Sequence, residues 1–340
     1  SRFFISCTRT MRPLLGTLIV LARTLAARIS PSALPHVSLR QSPVNGFFEQ
    51  ITHCPKMPRK CLIAVVPGNP GLPGFYDGFA RSLTSKLDAE VVVVGLLGHL
   101  TAESARGLTR ADRSRAFSLD DQLHHIRSEL SSLHALAHDE HQVPLAVVGH
   151  SIGARLALCA VRDVSPGGLP CIALMPFFQN NLADPRFALK HRLLTRASWL
   201  IPILVAFVAR VLRPLPVWFQ RKVLAGQIGG LEKPSQAIVL DGMLHRTAIE
   251  NYLYLGKTEM EALSAPFDFG RQGPSRLDLV RALQCPDDEW APLEMVSRCE
   301  QAGIRTTVME DVDHAFSEEQ VAAWIATQLE VLLSSENSDR

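Results

Sequence analysis

Leu145-Ala146-Val147-Val148-Gly149-His150-Ser151-Ile152-Gly153 is the stretch that decides the fold. Four consecutive apolar residues suit a strand buried on both faces. They run straight into Gly149-x-Ser151-x-Gly153, and Ile152 to Arg162 then reads as a helix. A serine at a sharp strand-to-helix turn is lifted above the edge of a sheet. A side chain at either flanking glycine would crowd neighbouring backbone. The free N–H groups and positive dipole end of the helix face any oxygen that reacts there. The stretch predicts a nucleophile elbow with Ser151 as the nucleophile. The plainer alternative is a turn with an N-cap serine.

Working outward, Leu62 to Val66 is a second buried run, and it ends in Pro67-Gly68-Asn69-Pro70-Gly71, which continues neither a strand nor a helix. Residues 73–87 read as a helix, Val91 to Val94 as a strand, Leu119 to Leu136 as a helix, Pro144 to Val148 as a strand and Cys171 to Leu174 as a strand. Strands alternating with helices predict an α/β domain with a mostly parallel, doubly wound sheet. From about Phe177 to Ala265 the alternation gives way to a largely helical cap insertion. It resumes with a strand at Leu279 to Leu283, a helix at Pro292 to Ala302, a strand at Arg305 to Met309 and a helix at Glu318 to Leu333. Regular structure is expected to begin at Cys61, so that residues 61–334 form one domain and 335–340 a tail.

The head of the chain differs from its body. Residues 1–60 hold nine Lys or Arg (Arg2, Arg9, Arg12, Arg23, Arg28, Arg40, Lys56, Arg59, Lys60) and one acid, Glu49. This basic, serine-bearing segment with prolines at 31, 35 and 43 reads as a leader and linker, either a targeting segment or a disordered tail. The formal net charge of the whole 340-residue chain is only +2, which gives no nucleic-acid signal. The cysteines Cys7, Cys54, Cys61, Cys159, Cys171, Cys285 and Cys299 are scattered and without a CxxC pair. They read as reduced thiols, neither a disulfide framework nor a metal site.

A serine nucleophile needs a base, an acid and an oxyanion hole. His314 lies in Asp311-Val312-Asp313-His314-Ala315-Phe316, between the last strand and the last helix, where a triad histidine belongs in the order Ser, acid, His. His150 sits inside the elbow and is expected at the pocket floor, and His124 and His125 on a helix face. The acid should follow the strand near Leu283, where Asp287, Asp288 and Glu289 are adjacent, and only one of them can point at the imidazole. The oxyanion donors are expected to be the backbone amides of Ile152 and of Asn69, because Pro70 has no N–H.

These motifs resemble the lipid droplet-associated hydrolase family. The resemblance rests on Val65-Val66-Pro67-Gly68-Asn69-Pro70-Gly71 followed by Phe75-Tyr76, on Val148 to Gly153, and on Ala173-Leu174-Met175-Pro176. It extends to Asn251-Tyr252-Leu253, Asp288-x-Trp290-x-Pro292 and His314-Ala315-Phe316, and so spans about residues 61–334. It implies the α/β-hydrolase fold and a serine hydrolase of carboxylic esters. In the family the aspartate two residues before the tryptophan is the triad acid, which selects Asp288, although Glu289 stands here where the family has proline. Ser151, Asp288 and His314 would then form the triad, with no cofactor or metal. Lipid esters of the sterol ester or acylglycerol class would be the substrates. A non-catalytic or weakly catalytic protein that organises lipid droplets, and a thioester, lactone or peptide hydrolase, are the alternatives.

The insertion carries its own signal. Pro185 to Leu231 has no acid but has Arg186, Lys190, Arg192, Arg196, Arg210, Arg213, Arg221 and Lys222. Ala197 to Ala209 is an uncharged run of 13 residues, shorter than the roughly 20 that a bilayer-spanning helix needs. Trp199, Phe207, Trp218 and Phe219 are the expected lipid contacts, with cations flanking an apolar face as in segments that lie in an interface. The plainer alternative is a cap helix buried over the site. The expected location is a lipid droplet or endoplasmic reticulum surface, unless the basic leader directs the chain to another organelle.

Overall fold

The computed structural model describes residues 37–197, 200–225, 233–312, 314 and 318–338. Among these, eight strands form one sheet: β1 (Val37–Ser42), β2 (Gly46–His53), β3 (Leu62–Val66), β4 (Glu90–Val94), β5 (Leu145–His150), β6 (Cys171–Leu174), β7 (Val280–Gln284) and β8 (Arg305–Val308). Their order is β1-β2-β4-β3-β5-β6-β7-β8. Pairing is parallel from β4 through to β8, and antiparallel for β1 with β2 and β2 with β4. The fold is that of an α/β hydrolase.

Parallel strands need cover on both faces. Among the described residues, the helices of seven residues or more are α1 (Asp77–Leu87), α2 (Leu119–Ala135), α3 (Ile152–Val164), α4 (Pro185–Arg196), α5 (Ile201–Leu212), α6 (Val217–Val223), α7 (Lys233–Met243), α8 (Arg246–Ala262), α9 (Glu294–Gln301) and α10 (Glu318–Ser338). Alternate residues of β3 enter different cores. Leu62, Ala64 and Val66 pack among the side chains of α2, α3 and α9, whereas Ile63 and Val65 pack among those of α1 and α10. Helix α2 is fixed at its start by a capping box between Ser118 and Asp121, a device worth about 1 kcal/mol. Helix α3 starts at Ser151 with no side-chain cap, so the hydroxyl is not spent on the helix.

Strand pairing begins earlier than Cys61. Residues 37–53, expected in a linker, are a β-hairpin added antiparallel to the edge of β4. The turn is closed by Asn45, at φ 60°, whose N–H donates to the Ser42 carbonyl at 3.1 Å. The available signal was Asn45-Gly46 between Leu39 and the pair Phe47-Phe48, which reads as a hairpin turn. Basic composition masked it. The leader expectation for residues 1–36 lies outside the described residues. All six described cysteines are free.

Candidate active site

The elbow is built where β5 ends. Ser151 has φ 54° and ψ −124°, backbone that a side chain tolerates only when its surroundings impose it. They do so here: Ser151 N–H donates to the Leu174 carbonyl at 2.9 Å, and its own carbonyl accepts from Phe177 at 3.1 Å. Both glycines are sterically required. A Cβ at Gly149 would lie 2.5 Å from Cα of Ala154, and one at Gly153 would lie 2.3 Å from the carbonyl oxygens of Val66 and Pro67.

His314 lies in the connection between β8 and α10, and its Nε2 is 3.2 Å from Ser151 Oγ. Its Nδ1 is 2.7 Å from Asp288 Oδ2. The proton on Nδ1 faces the carboxylate, which leaves Nε2 to accept from the serine. The Asp288 side chain is fully buried in the loop after β7. Its Oδ1 accepts the Trp290 N–H at 2.8 Å, and the Cys285 thiol lies 3.6 Å from Oδ2. Burial by itself would raise the Asp288 pKa. The hydrogen bond and charge of His314, with the Trp290 and Ala291 amides, outweigh it and hold the carboxyl below its ordinary range. The neighbouring acids face away: Asp287 is an exposed partner of Arg186 at 3.0 Å, and Glu289 pairs with Lys190. Helix α4 thus grips both residues that flank Asp288.

The Pro67–Gly71 loop lies across the elbow. Gly68 N–H donates to Tyr76 Oη at 2.9 Å and Gly71 N–H to His99 Nδ1 at 2.6 Å. Since Pro70 has no N–H, Asn69 holds the remaining amide of that stretch. The Asn69 side chain donates to the Tyr252 carbonyl of α8 at 2.9 Å, so the loop is tied to the cap. Ile152 is the first residue of α3, and its N–H is among those an α-helix leaves without an intrahelical partner. His150 is buried as expected, but His125, expected on a helix face, is fully buried and bonds Ser42 Oγ and the Gly95 carbonyl, each at 3.0 Å.

The sequence matches the model of the family described as lipid-droplet associated hydrolase over residues 59–317. The chain belongs to that family. It is 24% identical over 274 residues to the lipid droplet-associated hydrolase of Drosophila melanogaster, covering 76% of this chain and 84% of the fly protein. It is 27% identical over 226 residues to the Homo sapiens protein of the same name, covering 63% of this chain and 65% of the human one. Among solved structures, a bacterial membrane phospholipase A superposes with a TM-score of 0.57 at 15% identity, over 97% of this chain and 98% of that one. A carboxylesterase structure from Nitrososphaera gargenis gives 0.54 at 14% identity, over 88% and 100%. These last two likenesses concern the fold alone.

The cap of this hydrolase turns an apolar face outward. On α5, Val205, Ala209 and Leu212 pack inward against Leu244 and Ile249 of the cap. Ile203, Leu204, Phe207, Val208 and Val211, which recur with the three- and four-residue spacing of one helical face, are exposed, as is Trp218 on α6. Phe219 is half-buried against the same inner cluster, because successive helical residues point about 100° apart and Trp218 takes the outer face. Trp199 lies outside the described residues. No single described helix is long and apolar enough to cross a membrane, and α4 and α5 meet at 101°.

Glu259 of α8 is a site neighbour that sequence reasoning missed. It is 3% exposed and pushed up to about 8 by burial, with the Asn69 side chain pulling it back. Helix α8 also carries Glu250 and Glu261, and only tertiary burial singles out Glu259. A carboxyl whose folded pKa is raised contributes stability that is full below its unfolded value near 4.5 and is lost as pH rises through about 8. The fall is on the order of a few kcal/mol. Glu259→Gln is therefore expected to flatten the decline of Tm between about pH 5 and 9. Parallel Tm curves for the two proteins would exclude a buried, neutral Glu259.

Proposed function

We propose that this hydrolase cleaves carboxylic esters of lipids at a lipid droplet surface, with Ser151, His314 and Asp288 as its triad and the Asn69 and Ile152 amides as its oxyanion hole. The observation that carries this reading is the hydrogen-bonded chain from Asp288 Oδ2 through His314 to Ser151 Oγ at the end of β5. Ser151 Oγ attacks the acyl carbon while its proton moves to His314 Nε2. Asp288 steadies the imidazolium, and the oxygen that gains charge meets the two amides. Collapse returns the proton to the departing alkoxide and leaves an acyl-serine. Water, deprotonated by His314, then releases the carboxylic acid.

The lipid half of the reading rests on the cap. A contiguous exposed apolar face of this kind marks an interaction surface. Along the same segment of the chain, Arg192, Arg196, Arg210, Arg213 and Lys222 have no carboxylate partner among the described residues, and each is worth about 1 kcal/mol near an anionic surface. The test is acid release from a panel of emulsified sterol esters and acylglycerols, with soluble short-chain esters and thioesters alongside. Lack of any acyl release, with droplet binding retained, would replace the enzymatic reading by an organising one.

Location has its own test. Phe207→Asp with Trp218→Asp exchanges two exposed aromatics for charges, and burying each aromatic in lipid is worth about 2 kcal/mol. The pair is expected to move a tagged protein from floating droplets to the soluble fraction by more than about tenfold, with serine-probe labelling kept. Retention on droplets would show that this face is not the anchor.

A further inference from the structure

Two imidazoles meet at the site, with ring centroids 5.0 Å apart, and the mechanism uses only one of them. The other, His150, is held in a buried relay. Gly68 N–H donates to Tyr76 Oη at 2.9 Å, Tyr76 Oη lies 2.7 Å from His150 Nδ1, and His150 Nε2 lies 2.9 Å from the His314 carbonyl. The ends of this relay set its direction. An amide N–H only donates and a carbonyl only accepts. Tyr76 Oη accepts from Gly68 at one lone pair. Nε2 carries the proton, because it faces a carbonyl. In the neutral ring Nδ1 then carries none, and the Tyr76 hydroxyl donates to it. Burial supports the same state, pulling its pKa down to about 3, and the nearby His314 pulls in the same direction.

We propose that Tyr76 and His150 are positioning residues for the reaction, tying the loop that bears the base and the loop that bears the oxyanion amide to the elbow between them. His314 comes from the β8–α10 connection and Gly68 from the loop after β3, whereas His150 is the residue before the nucleophile. The relay sets all three in one frame. Neutrality suits its place: when His314 becomes an imidazolium during acylation, a second cation one ring away would oppose it. An Nε2–H tautomer also keeps His150 from competing as a base for Ser151.

This rests on reading Ser151, His314 and Asp288 as the reacting groups, and the experiment separates the two. Wild type, Tyr76→Phe, His150→Leu and His150→Gln are compared for their fluorophosphonate labelling rate, for kcat and KM on a soluble ester, and for imidazole 15N shifts. Misplacement by about an ångström costs on the order of 100-fold, so Tyr76→Phe and His150→Leu are expected to lower kcat and labelling by about 10- to 100-fold. KM should stay within about twofold, since binding is not what they align. His150→Gln, whose amide can still donate to the His314 carbonyl, should recover most of the loss. The wild-type 15N spectrum should show a neutral Nε2–H imidazole that does not titrate between about pH 5 and 8. A titrating His150, or an Nδ1–H tautomer, would overturn the proposal. So would unchanged kcat and labelling in both Tyr76→Phe and His150→Leu. If His150→Leu does not fold, Tyr76→Phe and the wild-type spectrum decide. Failure of the wild type itself to label would sink the catalytic reading and this one with it.

Discussion

Ser151→Ala is expected to abolish covalent labelling by a fluorophosphonate and to cut ester turnover by about 10⁴- to 10⁶-fold, the range seen when a triad member is lost. The expectation follows from geometry. Ser151 Oγ is the atom within 3.2 Å of His314 Nε2, and it sits at the start of α3 beneath the Pro67–Gly71 loop. Without it the imidazole has no proton to take and the acyl carbon no nucleophile. What remains is residual rate from oriented amides and bound water. The fold should be unaffected. The hydroxyl caps no helix, and alanine at φ 54° is strained no differently from serine. Thermal unfolding of the variant should match the wild type while labelling disappears. Undiminished labelling would mean that another nucleophile reacts and would remove the basis of the proposed function.

The second large effect is expected at the acid, where neighbouring positions should behave very differently. Asp288→Asn should lower kcat by about 10⁴-fold, the scale on which a triad amide presents the wrong group to the imidazole. The side chain is fully buried, and its Oδ2 is 2.7 Å from His314 Nδ1. An asparagine keeps the volume and can still accept the Trp290 N–H, but it cannot offset the charge of an imidazolium. It also favours the tautomer with its proton on the serine side. Asp287→Asn should change kcat by less than about threefold, since an exposed ion pair with Arg186 is worth about 0–1 kcal/mol. Measuring both variants on one soluble ester decides the matter. A larger loss at Asp287 would put the acid one residue earlier and contradict the contact seen here.

Much of the architecture was legible without coordinates, and the reasons are local. A short run in which every residue is apolar leaves little choice when turn residues bound it: Leu62 to Val66 and Leu145 to Val148 belong in strands covered on both faces. The elbow is legible from its pattern, although only the Gly149 clash, with Ala154, lies within one turn, and the Gly153 clash is with Val66 and Pro67 at the end of the neighbouring strand β3. His314 was legible from its place between the last strand and the last helix. The hairpin at 37–53 was not, because its Asn45-Gly46 turn lay in a basic, proline-marked segment whose composition spoke louder than its pattern.

The sequence by itself determined the alternation of strands and helices, the glycine-flanked serine at the end of β5, the chain order of Ser151, the acidic loop and His314, and an acid-free insertion rich in apolar and basic residues. Those are properties of spacing, and covalent geometry enforces them over a few residues. Only the tertiary structure set Asp288 against His314 while Asp287 and Glu289 met α4, turned Phe219 inward while Trp218 stayed out, buried Glu259 against Asn69, and ran a relay from Gly68 through Tyr76 and His150 to His314. Each depends on partners far away in the chain. On an irregular loop no period dictates where a side chain points, so the direction is settled by what packs against it: Arg186 and Lys190 of α4 engage Asp287 and Glu289, and Asp288 faces the imidazole.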